Sequence, residues 1–179
     1  RPGHYVYIRD DEDGDYWSVS WQPVGKPLDQ AKYTCRHGMS YTVYECDYSG
    51  IKASQKMCIP KEDPVELWDV KIKNDSGRTR SLSVYSYLEC SFHQIEMDNK
   101  NFQMSMYAAA SSCEDGIIEH DLFYEEFGFQ WFTASFRPDG FECLRDEFIG
   151  SYRTETNPIG VEKGVLGGGF EKGNNHCGA

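Results

Sequence analysis

The chain has no apolar stretch near the ~20 residues that a membrane-spanning helix needs. It also has no run rich in Lys or Arg, no Cys-x-x-Cys pair, and no signal-peptide core at its start, Arg1-Pro2-Gly3-His4. The first absence argues against a membrane segment. The second combines with 18 basic against 29 acidic residues, a net charge of −11. Such a surface opposes a phosphate backbone instead of releasing its counterions, so nucleic acid is not an expected partner. The seven cysteines, Cys35, Cys46, Cys58, Cys90, Cys113, Cys143 and Cys177, are odd in number and widely spaced. That pattern predicts reduced thiols in a cytoplasmic protein more readily than a disulfide framework. No fixed-period repeat and no linker is evident, so residues 1–179 read as one domain. The missing initiator Met and the ending Cys177-Gly178-Ala179 lead us to expect a segment of a longer chain.

What the sequence does have is aromatic residues, 15% of the total, which suit pleated, half-buried surfaces. Tyr5 to Ile8 and Tyr16 to Trp21 flank Asp10-Asp11-Glu12-Asp13-Gly14-Asp15, two strand-like runs around an Asp-Gly turn. Tyr41 to Cys46 and Ile51 to Ile59 flank Tyr48-Ser49-Gly50 in the same way. Val65 to Lys73 is expected to pair with Ser81 to Phe92 across Asn74-Asp75-Ser76-Gly77. Ser81 to Leu88 alternates small polar with large apolar residues, which predicts one buried strand face. Further strands are expected in Gly116 to Tyr124, Phe127 to Phe136 and Phe141 to Tyr152, with Arg137-Pro138-Asp139-Gly140 as a turn between the last two. Met104 to Ser111 reads as either helix or strand. The Gly-rich stretch after Pro158 reads as loop with at most one short strand or turn of helix. The expected fold is an all-β, antiparallel β-sandwich.

Several residue groups invite a chemical reading. Asp10 to Asp15 carries carboxylates around a Gly. Aligning Gly14 with the invariant glycine of a calcium loop, however, puts Arg9 at the first ligand position and Ser20 where a bidentate Glu belongs, so a solvated hairpin tip is expected. Gly164 to Phe170 has the glycines of a phosphate cradle without its Lys-Ser/Thr ending, and is expected to be a surface loop. Cys35, His37, His176 and Cys177 are zinc ligands by type but lack compact spacing. A cysteine nucleophile with His37 or His93 as base has the same weakness, and free cysteines are ordinarily buried. Glu119, Asp121, Glu125 and Glu126 supply carboxylates, yet adjacent strand residues point to opposite faces, so Glu125 and Glu126 do not flank one bond. Tyr16, Trp17, Trp21 and Trp68 could stack on sugars, though at strand spacing they are expected in the core.

As whole strings, several stretches resemble the amino-terminal β-sandwich of the glycoside hydrolase family 94 phosphorylases. They are Tyr5-Val6-Tyr7-Ile8-Arg9-Asp10 with Gly14-Asp15-Tyr16-Trp17-Ser18; Ser20-Trp21-Gln22-Pro23-Val24; Arg36-His37-Gly38; Glu66-Leu67-Trp68-Asp69-Val70; Asn101-Phe102-Gln103; and Arg145-Asp146-Glu147-Phe148-Ile149-Gly150. Within that family, Arg1 to Tyr7, Gln103-Met104-Ser105 and Asn175-His176-Cys177-Gly178 resemble the chitobiose branch, where cellobiose enzymes typically carry Gln-Arg-Asn at the Gln103 stretch.

The resemblance implies a galactose mutarotase-like super-sandwich within a cytoplasmic homodimer, with a catalytic helical (α/α) barrel downstream. It implies an inverting phosphorolysis of a β-linked disaccharide to an α-sugar 1-phosphate, with inorganic phosphate as co-substrate and no cofactor. The catalytic acid and the phosphate site belong to the barrel, so no catalytic residue is expected in this chain. Gln103 and Met104 are expected at an acceptor subsite across the dimer interface, and Arg36-His37-Gly38 and the tryptophans as structural. The rival expectation is a free-standing carbohydrate-binding sandwich without catalysis.

Overall fold

The structure, a computed structural model, describes residues 3–89, 109–122, 129–168 and 177–179. The chain divides into two compact units, one of Tyr5–Tyr85 and one of Arg1–His4 with Ser86–Ala179. The described architecture is antiparallel β, as the hairpin signals predict.

In the first unit, β1 (His4–Asp10) and β2 (Tyr16–Ser18) form the expected hairpin, with Ile8 opposite Trp17. Gly14 takes a positive φ in its turn, which a side chain would resist. A four-stranded meander follows: β3 (Ala31–His37), β4 (Tyr41–Tyr48), β5 (Ile51–Cys58) and β6 (Leu67–Asn74). Ser49 and Gly50, both at positive φ, make the two-residue turn between β4 and β5, the geometry that matches strand twist. The hairpin and the sheet enclose one core. Val6, Ile8, Trp17 and Val19 meet Cys46, Ile51 and Ala53, with Tyr33, Tyr44, Tyr48, Trp68, Val70 and Leu82 packed around them. This is a two-layer sandwich.

The hairpin expected between Val65 to Lys73 and Ser81 to Phe92 does not form. Among the described strands β6 pairs only with β5, while β7 (Leu82–Glu89) belongs to another sheet, next to β1 in strand order. The cause is the segment between them. Asn74 accepts the Ser76 N–H (3.0 Å) and donates to the Arg78 carbonyl (2.8 Å), which curls the chain. Arg78, Arg80 and Ser81 then bond to the acidic β1–β2 turn, the Asp11 N–H donating to the Ser81 carbonyl at 3.0 Å. Charge thus carries the strand away from its sequence neighbour. In β7 the alternation changes phase where Val84 adjoins Tyr85: Tyr85 and Tyr87 are buried, and Val84 is exposed.

The second unit contains a three-stranded antiparallel sheet of β8 (Ala109–Glu114), β9 (Ile117–Leu122) and β10 (Phe129–Thr133). β11 (Cys177–Gly178) pairs with Leu88 and Glu89 of β7. The strand expected over Phe141 to Tyr152 is instead loop and a single helical turn, α1 (Arg145–Phe148). Glu142 is buried, and its Oε1 accepts the N–H groups of Cys143 and Leu144, both at 3.0 Å, turning the chain before the helix. The Leu144 to Phe148 spacing then buries one helical face. Phe148 stacks on Tyr87 with ring centroids 4.8 Å apart, at the centre of this unit. The Gly-rich stretch supplies one more turn, α2 (Ile159–Lys163), closed by Gly164 in the left-handed conformation. No helix among the described residues is long and apolar enough to cross a membrane.

Candidate functional site

The acidic turn is exposed at Asp11, Glu12 and Asp13, as its composition predicts, but Asp10 at its base is buried and most of its carboxylates are paired. Arg80 pairs with Asp10, and the two side chains are only 4% and 2% exposed. Arg9 pairs with Asp11, Arg78 with Glu12, and Lys26 with Asp15. The Tyr48 hydroxyl also donates to Asp15, at 2.8 Å. Burial alone would push the Asp10 carboxyl up, but the Glu12 N–H and the Arg80 guanidinium outweigh it and hold the group below the ordinary carboxylate range. The Tyr48 phenol is pushed up to about 12 by burial and by the Asp15 carboxylate it bonds. Asp10 and Glu12 thus clasp the hairpin to Arg80 and Arg78, while Asp15 ties it to Lys26 and Tyr48, which makes the turn a structural lock.

Among the described residues, several strings that carry the family resemblance pack and pair within their own unit. Arg145 is held by Glu89 (2.9 Å) and Glu155 (2.8 Å), and the Tyr87 hydroxyl donates to Glu89 at 2.7 Å. Burial works against the Arg145 charge, yet these partners hold its pKa above the ordinary guanidinium value. The Trp68 indole N–H is bonded to Glu66 at 2.6 Å. The Gly38 N–H donates to the Tyr41 carbonyl at 2.8 Å, and a Cβ on Gly38 would stand 2.3 Å from the Tyr41 ring. Trp17 lies fully in the core and Trp68 against it, as expected. Trp21 is exposed, and its ring lies where a Cβ on Gly25 would stand.

One constellation set aside on spacing does come together. Cys35 and His37 are two apart on β3, so they share a face. Cys35 Sγ lies 3.4 Å from His37 Nε2, and His37 Nδ1 lies 3.0 Å from Thr42 Oγ1. Thr42 is the cross-strand partner of His37 and was not legible as a site residue without the pairing register. The i, i+2 spacing on a strand was the available signal for the other two. Cys177, in contrast, is buried and lies in the other unit. Among the described residues no group of three or more His, Cys, Asp or Glu side chains is placed to hold a metal ion. Glu119 accepts the Trp131 indole N–H at 2.8 Å, and Phe129 and Trp131 turn their exposed rings toward each other, 6.1 Å apart, instead of presenting one flat platform.

Residues 1–179 match the model of the glycosyl hydrolase 94 supersandwich domain. The chain belongs to this family. Among curated relatives, it is 49% identical to the N,N'-diacetylchitobiose phosphorylase of Vibrio proteolyticus and 48% identical to that of Vibrio furnissii, each over 100% of the chain and 23% of the relative. It is 35% identical to the solabiose phosphorylase of Paenibacillus borealis over 90% of the chain and 21% of that relative. The chain therefore spans about a quarter of the length of the relatives it matches.

In this glycosyl hydrolase 94 supersandwich domain, Trp17, Trp68 and Arg145 of the matched strings serve packing and ion pairing. Gln103 and Met104, the residues expected at a sugar subsite, lie outside the described residues. So do Cys90, His93, Glu125, Glu126 and His176.

Proposed function

We propose that this chain is the non-catalytic sandwich portion of an inverting glycoside phosphorylase that reversibly cleaves a β-linked disaccharide of the N,N'-diacetylchitobiose type. The observation that carries this reading is near-50% identity, along the entire chain, to two relatives named for that activity. Their roughly fourfold greater length favours a part of a larger enzyme over a free-standing carbohydrate-binding module. In the reaction, inorganic phosphate attacks the anomeric carbon while a carboxylic acid protonates the departing oxygen, giving an α-sugar 1-phosphate. Phosphate is itself an anionic nucleophile, so no second carboxylate is needed to activate water. The acid and the phosphate site are assigned to a helical barrel downstream, and none of the residues described here is given a catalytic role.

Gln103 and Met104 form one wall of the acceptor pocket in this reading, reached across a homodimer interface in a cytoplasmic enzyme. The Gln103 amide offers a donor and an acceptor to sugar hydroxyls, and Met104 offers a polarizable, shape-adaptable surface to an acetamido methyl.

The test is a synthetic-direction panel on the full-length protein, with α-N-acetylglucosamine 1-phosphate and α-glucose 1-phosphate as competing donors. Preferential use of the N-acetylglucosamine donor with an N-acetylglucosamine acceptor is expected. Preference for the glucose donor would overturn the chitobiose assignment, and disaccharide cleavage that is indifferent to phosphate would overturn the phosphorylase assignment.

A further inference from the structure

The inner face of the β3–β6 sheet is covered at the end that bears Ala31, Cys46 and Ile51, but β3 becomes exposed toward its other end, where Cys35 and His37 stand. Among the described strands β3 is the outermost of its sheet, and Cys35 and His37 at this end are exposed to a small reagent. The three side chains there have the order of a nucleophile, a base and an orienting group. His37 Nδ1 lies 3.0 Å from Thr42 Oγ1 and Nε2 lies 3.4 Å from Cys35 Sγ; in the tautomer that carries its proton on Nδ1, the threonine oxygen accepts that N–H and the Nε2 lone pair faces the sulfur. When the ring gains a second proton, both of its N–H groups already have acceptors, the sulfur on one side and the threonine oxygen on the other. Tyr44, opposite Cys35 on β4, has its phenol pushed up by burial and by the neighbouring cysteine, and so stands neutral beside the sulfur. Arg36 and Glu45 pair with each other at 3.0 Å on the opposite face, so neither charge is directed at the thiol.

The other described thiols are situated differently. Cys46 and Cys143 are buried, and burial pushes their thiols up to about 11 and about 12. Burial also raises the Cys113 thiol, and Cys177 is buried with its Sγ against the Glu142 carbonyl at 3.8 Å. Cys35 alone among the described cysteines is both exposed and in reach of a ring nitrogen.

We infer that Cys35 is a reversible modification site, a thiol that His37 deprotonates for exchange with small disulfides of the oxidised-glutathione class. The Cys35 thiol proton passes to His37 Nε2 as the sulfur attacks one sulfur of the disulfide. The incoming S–S bond breaks, a Cys35–S–S–R bond forms, and the departing thiolate takes the proton from His37. One thiol and one disulfide enter, and one thiol and one disulfide leave, so no further oxidant is required. Thr42 is a positioning residue that fixes the imidazole tautomer. The site is independent of the phosphorolytic reaction.

The experiment treats the full-length protein with oxidised glutathione and follows mass gain on each cysteine by peptide mapping. Cys35 is expected to react at least about tenfold faster than Cys58, which is partly exposed. His37→Ala is expected to slow Cys35 by about a hundredfold, the lower end of the range for general-base assistance, with added imidazole restoring part of the rate. Thr42→Val is expected to fall between the two. A Cys35 rate no greater than that of Cys58, a rate unchanged by His37→Ala, or a slow His37→Ala variant that imidazole fails to rescue would each overturn the proposal.

Discussion

At the scale of single residues, burial separates charge pairs that matter from those that do not. Asp10 and Arg80 are almost wholly enclosed, whereas Asp69 and Lys71 are 55% and 75% exposed. Asp10→Asn is expected to cost about 2 kcal/mol, the range for a hydrogen bond to a charged group. Asp69→Asn should lie within about 0.5 kcal/mol of the parent. Urea unfolding of the intact protein measures both. The first effect also has a pH signature. The Asp10 carboxyl sits below its ordinary value of 3.8 when folded. Its contribution is therefore complete above that value and is lost as pH falls through the lower, folded one. The gap between parent and Asp10→Asn should close on acidification below pH 3.8, and a gap that widens there would contradict the clasp. On the acceptor role proposed for Met104, Met104→Arg should lower kcat/KM for N-acetylglucosamine about tenfold relative to glucose, the scale on which one apolar contact discriminates. Initial rates with the two acceptors decide it.

At the scale of elements, two glycine turns offer a paired test. Gly50 has φ +75°, and a Cβ there would stand 2.8 Å from Ser76 Cα; Gly77 has φ +74° with open space around it. Gly77→Ala pays only the left-handed backbone penalty of about 1 kcal/mol. Gly50→Ala adds a clash with main chain and is expected to cost about 2–3 kcal/mol, read as the difference in thermal midpoint shifts. These turns are also where the sequence is most legible: Asp13-Gly14 and Ser49-Gly50 announce β1–β2 and β4–β5 because few other residues accept the required φ. β3 is not legible in this way. Ala31 to His37 has only a weak apolar alternation, and its place comes from residue-by-residue pairing with β4. The β6–β7 hairpin was misread because the contacts that redirect the chain are distant in sequence, Arg80 reaching Asp10 across 70 positions. Phe141 to Tyr152 has strand-like composition, and the buried Glu142 that bends it has no local signature. The Cys35, His37 and Thr42 set was hidden for the same reason, since strand pairing, not spacing, supplies its third member.

At the scale of the whole molecule, the described residues form two sets of packed antiparallel strands and no assembled acid-and-phosphate centre. The 179-residue chain alone is expected to release no sugar 1-phosphate from disaccharide and phosphate, while the full-length protein does; turnover by the chain alone would place chemistry where we assign scaffolding. The outermost strands of the four-stranded sheet have a consequence of their own. β3 presents Lys32 and Arg36 and β6 presents Lys71 and Lys73, all well exposed, in a protein whose surface is otherwise strongly acidic. Two copies sliding together rim to rim would have to bury these charged side chains, three of them held in ion pairs with Glu45, Asp69 and Asp75, before any backbone bond could form. Replacing Lys71 and Lys73 with valine would leave an apolar run from residue 70 to 73 along the outermost described strand, and copies of the chain would gain the means to grow into a fibre.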